Sequence, residues 1–148
     1  MKNAKTTIET IASSCIAGRL RLLNRVVTNL YDDALRPFGV KLSQGNVLAI
    51  TAKLGVARPA EVCDLLELDT STLSRTVERM VANGWLEVLS EQDGRSHPFR
   101  LTDLGKQLLE QTIPAWEHAQ AEAKKLLGED GLGFLNAAIK RIKISQTA

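Results

Sequence analysis

The sequence predicts a mainly α-helical protein with one small β-hairpin, arranged as a winged helix-turn-helix between long terminal helices. Two short helical patterns follow each other over residues 59–66 and 69–81, and a hairpin pattern occupies residues 85–101. Longer apolar periodicities flank this region on both sides. The 148 residues therefore form one domain, 1–148, with a central lobe at about 43–101 and terminal helices at about 7–36 and 103–148.

The N-terminal helix is expected from about Thr7 to Leu35, where Pro37 and Gly39 end it. It carries two neighbouring apolar stripes, too wide a face for a lone surface helix, so a partner helix is expected. The stripes are Ile8, Ile11, Cys15, Leu22, Val26 and Leu30, and Ile16, Leu20, Leu23, Val27 and Tyr31. The next helix is expected over Ser43–Leu54, with Ser43 as the candidate cap.

The central pair of helices has clear start and stop signals. Pro59 suits the first turn of a helix that runs to about Leu66, and Glu67-Leu68-Asp69 is a turn of the length that joins the helices of this motif. Asp69 is the natural N-cap of the second helix, and Asn83-Gly84 is its expected end. Its predicted core side is Leu73, Val77, Met80 and Val81, and Cys63 is expected as a small hydrophobe where the two helices touch.

The opposite face of the second helix fits the major groove of DNA. Ser71, Arg75 and Ala82 lie opposite the apolar stripe at 100° per residue. Hydroxyls can bond to phosphates or base edges, and an arginine can grip guanine with two hydrogen bonds. Arg75 is the leading base reader. The predicted DNA contacts on this helix are Thr70, Ser71, Thr72, Ser74, Arg75 and Arg79.

Trp85–Leu89 and His97–Leu101 are expected to pair as the strands of the wing, with a polar turn between them. Gly94 permits a tight tip, and Arg95 can reach phosphates or a narrow minor groove, which makes it a predicted DNA contact. Pro98 lacks an amide proton and therefore belongs on an edge strand.

After Thr102 a long helix is expected, with a kink at Pro114, a loop over Gly128–Gly133 and a last short helix marked by Leu135, Ile139 and Ile142. The terminal helices are more apolar than one small domain can cover, which favours a symmetric homodimer. Two reading helices about 34 Å apart then require an inverted-repeat operator in double-stranded DNA.

Composition places the chain among ordinary globular proteins, with 44% apolar and 24% charged residues and a net charge of +2. The apolar runs are too short to cross a bilayer and no signal-peptide order is present, so the expected location is the cytoplasm. Cys15 and Cys63 lack partners at ligand spacing, so neither a metal nor another cofactor is implied. There is no catalytic Ser/His/Asp order or glycine-rich phosphate loop, which argues against an enzyme.

Charge alone does not identify a DNA-binding protein. Residues 58–100 carry five arginines and no lysine against eight acidic residues, a formal charge of −3. The alternative is therefore a winged-helix module for protein–protein interaction without DNA binding. On the DNA hypothesis, few phosphate contacts predict a shallow dependence of affinity on salt.

An ordered set of motifs resembles the MarR family of transcriptional regulators. The matching segments are Gly39-Val40-Lys41-Leu42-Ser43-Gln44, Glu61-Val62-Cys63, Leu68-Asp69-Thr70-Ser71-Thr72-Leu73-Ser74-Arg75, Gly84-Trp85-Leu86, Asp93-Gly94-Arg95 and Leu101-Thr102-x-x-Gly105. The resemblance implies a homodimer, dimerised through its terminal helices, that is usually a repressor. It also implies release from DNA by a small, often aromatic, molecule or by oxidation of a cysteine.

Cys15 is the candidate for such a redox role. Arg19 lies one helical turn further on and could lower the pKa of the thiol, which is what a sensor cysteine needs. The alternative is that Cys15 only packs against a neighbouring helix.

Overall fold

The computed structural model describes residues 3–90 and 96–147, with side chains to residue 143. Its backbone divides into two compact units, Met1–Asp33 with Ala119–Ala148, and Ala34–His118. The mainly helical architecture with one small antiparallel hairpin agrees with the fold that the sequence predicts.

The second unit contains the helix-turn-helix and the wing. After a short 3-10 turn at Arg36–Phe38 come α3 (Leu42–Leu54), α4 (Pro59–Leu66), α5 (Thr70–Ala82), β1 (Leu86–Val88), β2 (Phe99–Leu101) and the start of α6 (Asp103–Thr147). Helices α3, α4 and α5 and both strands contribute to one buried core. Its members are Val47, Leu48, Ala57, Val62, Leu73, Met80, Leu86, Phe99 and Leu101.

Helix α3 begins at Leu42, one residue before the expected start, and Ser43 is not its cap. The Gln44 side chain accepts a hydrogen bond from the Lys41 backbone amide at 3.0 Å. A lysine side chain has no hydrogen-bond acceptor, so Lys41 cannot accept a bond from the Gln44 backbone amide. The N-terminus of α3 is therefore capped by the Gln44 side chain alone.

The N-terminal helical segment is two helices, α1 (Ala4–Ser14) and α2 (Ile16–Leu35), and the prediction of one continuous helix was wrong. The break is at Cys15, whose backbone is extended with φ −61° and ψ 117°. The Ser13 carbonyl accepts from the Arg19 guanidinium at 2.9 Å. In a continuous helix the Ser13 carbonyl would accept from the backbone amide four residues further on. At the break the Arg19 side chain supplies the hydrogen bond instead.

Helix α6 also departs from its predicted form. Residues 129–133 are helical, so the predicted loop at Gly128–Gly133 was wrong, and non-helical angles occur at Gly128 alone (φ 68°, ψ 174°). A Cβ at Gly131 would lie 3.1 Å from the Leu127 Cβ, so a glycine there permits a close approach across the break. The helix runs through Pro114 without ending.

In the first unit, α1 has no buried residue and α2 packs through few side chains. Tyr31, Ala119 and Ala123 are buried, and the Tyr31 hydroxyl donates to Gln120 Oε1. Burial raises the pKa of Tyr31. Most large apolar side chains of this unit remain exposed on the single chain: Ile8, Ile11, Ile16, Leu20, Leu22, Val26, Leu126, Phe134, Ile139 and Ile142.

Candidate nucleic-acid interface

The turn between α4 and α5 sets the direction of the second helix. Glu67 ends α4 in the left-handed conformation with φ 51°, and the Leu68 amide donates back to the Cys63 carbonyl at 3.0 Å. Cys63 is half-buried against the core, which agrees with its expected place between the two helices. The reversal lets α5 begin at Thr70, as the sequence predicts.

Asp69 caps α5 and collects three hydrogen bonds on its carboxylate. The Thr72 amide donates to Oδ1 at 2.8 Å, the Ser71 hydroxyl donates to Oδ1 at 2.7 Å, and the Thr72 hydroxyl donates to Oδ2 at 2.7 Å. These bonds, first of all that from the Thr72 side chain, hold the pKa of Asp69 well below its usual range, and the charge of Arg75 acts in the same direction. The hydrogen bonds therefore favour the ionised form of Asp69.

Helix α5 buries one face and exposes the other. Leu73 and Met80 are fully buried, and Val77 is half-buried against the core. Val81 is 38% exposed, so its predicted place on the core side was wrong. It lies 100° around the helix from Met80, at the edge of the apolar stripe rather than within it.

The side chains predicted to contact DNA lie together on the outer part of α5. Thr70, Ser71, Ser74, Arg75 and Arg79 are exposed, and Thr72 is half-buried. All six predicted positions on this helix are thus accessible from one side of the lobe or from its edge. Arg95 lies outside the described residues, as do Asp93 and Gly94 at the predicted wing tip, and its role stays a prediction from the sequence.

Helix α5 ends in a Schellman motif, as Asn83-Gly84 predicts. The Trp85 amide donates to the Met80 carbonyl at 2.9 Å, the Gly84 amide donates to Val81 at 2.9 Å, and Gly84 has a φ of 78°. This turn leads the chain directly into β1.

The wing strands are shorter than predicted and pair in antiparallel register, with Leu86 opposite Leu101, Glu87 opposite Arg100 and Val88 opposite Phe99. Pro98 is buried just before β2, and its carbonyl accepts from the Leu89 amide at 2.7 Å. Ala57 exchanges two backbone hydrogen bonds with Phe99 at 2.8 and 2.9 Å, which joins the segment before α4 to the base of the wing. Arg100 Nε pairs with Glu87 Oε1 at 2.5 Å, so this arginine is committed to its own hairpin.

The Leu-Thr-x-x-Gly motif holds the wing to α6. The Thr102 hydroxyl donates to the Gly84 carbonyl at 2.5 Å and accepts from the Gly105 amide at 3.0 Å. It therefore caps α6 and fixes the end of α5 with one atom. Sequence reasoning recognised this motif but assigned it no such role.

The redox hypothesis needs the Arg19 guanidinium beside the Cys15 thiol, and it stays a prediction. Cys15 is exposed at the break between α1 and α2, and the Arg19 guanidinium donates its described bonds to the Ser13 carbonyl instead. The two residues remain close in the chain, one helical turn apart.

The described residues offer neither a cluster of metal ligands nor a helix that could span a membrane. Within residues 3–90 and 96–147 no three of His, Cys, Asp and Glu are grouped so as to hold a metal ion. No helix in the same described part of the chain combines the length and the apolar character that a bilayer span requires.

The fold and the site define a winged helix-turn-helix protein with a polar, arginine-bearing second helix. A family model described as MarR family matches residues 38–96. The HTH-type transcriptional regulator YwoH of Bacillus subtilis is 30% identical over 78 residues, which cover 53% of this chain and 57% of that protein. This chain thus spans little more than half the length of that relative.

Longer matches extend over most of the chain. The multiple antibiotic resistance protein MarR of Salmonella typhimurium is 28% identical over 128 residues, 84% of this chain and 89% of that protein. Mycobacterium tuberculosis MosR, solved in complex with DNA, is 26% identical with a TM-score of 0.74 over 87% of this chain and 98% of that one. Escherichia coli MarR with operator DNA shares the fold, with a TM-score of 0.79, 23% identity, and coverage of 90% and 96%.

These matches make the chain similar to the MarR family, with the family model itself covering residues 38–96, and its fold is that of MarR-family structures. The relative YwoH is a transcriptional regulator, which agrees with the expectation that this chain is not an enzyme.

Proposed function

We propose that this protein is a homodimeric, sequence-specific DNA-binding transcriptional regulator that inserts α5 into the major groove of an inverted-repeat operator. The observation that carries the proposal is the exposed face of α5, where arginines and hydroxyls stand opposite the buried Leu73 and Met80. Support comes from MosR, a relative solved in complex with DNA.

Within this proposal Arg75 reads a base and the remaining polar side chains of α5 position the helix on the backbone. Arg75 lies on the outer face of α5 and is exposed, and its guanidinium can bond to two acceptors of guanine. Arg79, one turn further on, suits a phosphate, and Arg95 keeps its proposed role at the wing.

The homodimer is supported by the apolar surface of the first unit. Ile8, Ile11 and Ile16 are between 62% and 76% exposed, and Phe134 is 61% exposed. Large apolar side chains in such numbers mark a contact surface, and a second copy of the chain supplies the matching face. The terminal helices are then the dimerisation region and residues 43–101 the DNA-binding lobe.

We further propose that the protein acts as a cytoplasmic repressor, released from DNA by a small aromatic molecule or by oxidation of Cys15. The thiol is exposed, which oxidation requires. A change of a few ångströms in the separation of the two α5 helices would mismatch successive major grooves. Cys15→Ser that leaves peroxide-induced release unchanged would remove the oxidation branch.

The test is selection of bound fragments from random duplexes, followed by affinity measurement on the enriched sequence. Arg75→Ala is expected to lose about 1 to 3 kcal/mol and to relax specificity at one base. Arg95→Ala is expected to weaken all sequences more evenly. Lys53→Ala is the control, since this exposed cation lies on α3, outside α5, the wing and the terminal helices, and is expected to change nothing.

Failure to enrich any duplex would contradict the proposal and favour the protein–protein module. The formal charge of −3 over residues 58–100 is compatible with that alternative. Measurement at two salt concentrations separates specific binding from weak, nonspecific attraction.

A further inference from the structure

The segment that leads into α4 is joined to the return strand of the wing, residues 96–101, at two points. Ala57 exchanges two backbone hydrogen bonds with Phe99, at 2.8 and 2.9 Å, and both residues are buried. Arg58 follows Ala57, and its guanidinium Nη1 donates to the Ser96 hydroxyl at 3.3 Å. The two contacts lie three residues apart on the return strand, which is roughly 10 Å of extended chain.

Backbone pairing cannot supply the second contact. In an antiparallel ladder the next pair that exchanges hydrogen bonds after Ala57 and Phe99 lies two residues further along, at positions 59 and 97. Pro59 has no amide proton to donate, and α4 begins at this residue. The ladder therefore ends at Ala57, and the Arg58 side chain makes the next described contact with the return strand.

Arginine is a poor residue for the position that Arg58 occupies. Arg58 is the N-cap of α4, and its side chain makes no capping hydrogen bond. A guanidinium has no acceptor for the amides of a first helical turn, and its charge is unfavourable at the positive end of the helix dipole. Serine or aspartate would cap the helix at this position. A local rule that is broken in this way indicates a functional reason for the residue.

We propose that Arg58 is a positioning residue for DNA binding, which holds the return strand of the wing against the helix-turn-helix through Ser96. This inference rests on the proposed function, since it needs the wing to contact DNA beside α5. Phe99 is buried whereas Ser96 is half-buried, so the strand leaves the core between them. The contact from Arg58 restricts the movement of this outer part relative to α4, and a wing that is ordered before binding costs less to order on DNA.

The distinguishing variant is Arg58→Ser, which is expected to change stability and DNA affinity in opposite directions. Serine is a preferred N-cap residue, so α4 gains a cap and the variant is expected to unfold at a temperature about 2 to 4 °C higher. Serine is too short to reach Ser96, so the contact is lost and affinity for the operator is expected to fall about three- to tenfold. A residue that served stability alone would move both quantities in the same direction.

The experiment measures affinity for the duplex that the wild type enriches, at two salt concentrations, and thermal unfolding. It uses the full chain in five forms: wild type, Arg58→Ser, Ser96→Ala, the double variant and the control Lys53→Ala. Ser96→Ala keeps the net charge and is expected to weaken binding as Arg58→Ser does. In the Arg58→Ser background it is expected to change nothing further, because the contact is already lost. Lys53→Ala removes an exposed cation of α3 and is expected to leave affinity unchanged.

The outcomes separate this inference from the proposed function. If the wild type enriches no duplex, the proposed function fails and this inference fails with it. If the wild type is selective but Arg58→Ser binds as tightly, or loses affinity and stability together, only the inference is overturned.

Two further results would also overturn it. If Ser96→Ala costs nothing while the loss from Arg58→Ser shrinks at the higher salt concentration, Arg58 contacts a phosphate directly. If Ser96→Ala costs the same with and without Arg58, the Ser96 hydroxyl contacts DNA by itself. Should Arg58→Ser fail to fold, Arg58→Ala takes its place in the comparison with Ser96→Ala.

Discussion

At Gly105 the backbone of α6 passes against the carbonyl of Trp85, and there is no room for a side chain. A Cβ at this position would lie 2.1 Å from the Trp85 oxygen and 3.0 Å from its carbonyl carbon. Both neighbours are backbone atoms, which cannot move as the end of a flexible side chain does. The same segment is held by Thr102, so this approach is built into the junction of α5, β1 and α6.

Gly105→Ala is therefore expected to destabilise the protein by about 1 to 3 kcal/mol or more, as overpacking usually does. Gly133→Ala is the control, because it lies in the helical part of α6 and a Cβ there meets nothing within 4 Å. The control is expected to gain roughly 0.5 to 1 kcal/mol. Equilibrium denaturation by urea measures both, and equal stabilities would contradict the close approach.

Asp69 makes a second prediction at this scale, on pH. Its pKa is lowered in the folded protein, first by the Thr72 hydroxyl, so the stabilisation is present above its ordinary value of 3.8 and is lost as the pH falls further. Asp69→Asn removes this titration. The stability difference between wild type and this variant is expected to be largest near neutral pH and to shrink below pH 4, as followed by denaturation at a series of pH values. A difference that does not depend on pH would contradict the carboxylate network.

Among the elements, α5 has the most clearly two-sided structure. It is anchored by Leu73 and Met80 and closed by the turn at Gly84, while its polar side remains free for a partner. Met80 and Val81 are neighbours in the chain with opposite environments, 0% and 38% exposed. Substitutions at these two residues therefore test how α5 is rotated about its own axis.

Met80→Ala is expected to cost about 2 to 5 kcal/mol, as for other fully buried large side chains. Val81→Ala is expected to cost less than about 1 kcal/mol because its site is largely at the surface. Denaturant titration measures the free energy of unfolding of both variants and of the wild type. Similar losses would mean that α5 is rotated from the orientation that the proposed interface requires.

For the whole molecule, the unusual property is an N-terminal helix with no buried side chain. Helix α1 has no buried residue, yet it carries Ile8 and Ile11 on neighbouring faces. In a dimer this apolar surface would be covered by the partner, which would give α1 a packing role that the single chain does not provide.

The double variant Ile8→Glu and Ile11→Glu is expected to fold, since no buried side chain is changed, but to shift the chain from dimer to monomer. Loss of the dimer should also lower operator affinity, because two half-sites would no longer be held at a fixed spacing. Thr6→Glu, on the far side of α1, is the control. Analytical ultracentrifugation measures the mass, and a double variant that stays dimeric would show that α1 lies outside the interface.

The sequence by itself determined the order of the elements, the caps at Asp69 and Asn83-Gly84, and which face of α5 is polar, because these depend on periodicity and local turn chemistry. Only the tertiary structure decided where the terminal helices break, since Arg19 satisfies the Ser13 carbonyl at one break and Gly128 turns the chain at the other. It also decided the direction of the hydroxyl bonds at Asp69 and the pairing of Arg100 with Glu87. The sequence shows which donors and acceptors are present. Which atoms form hydrogen bonds with each other depends on distances that only the folded chain determines.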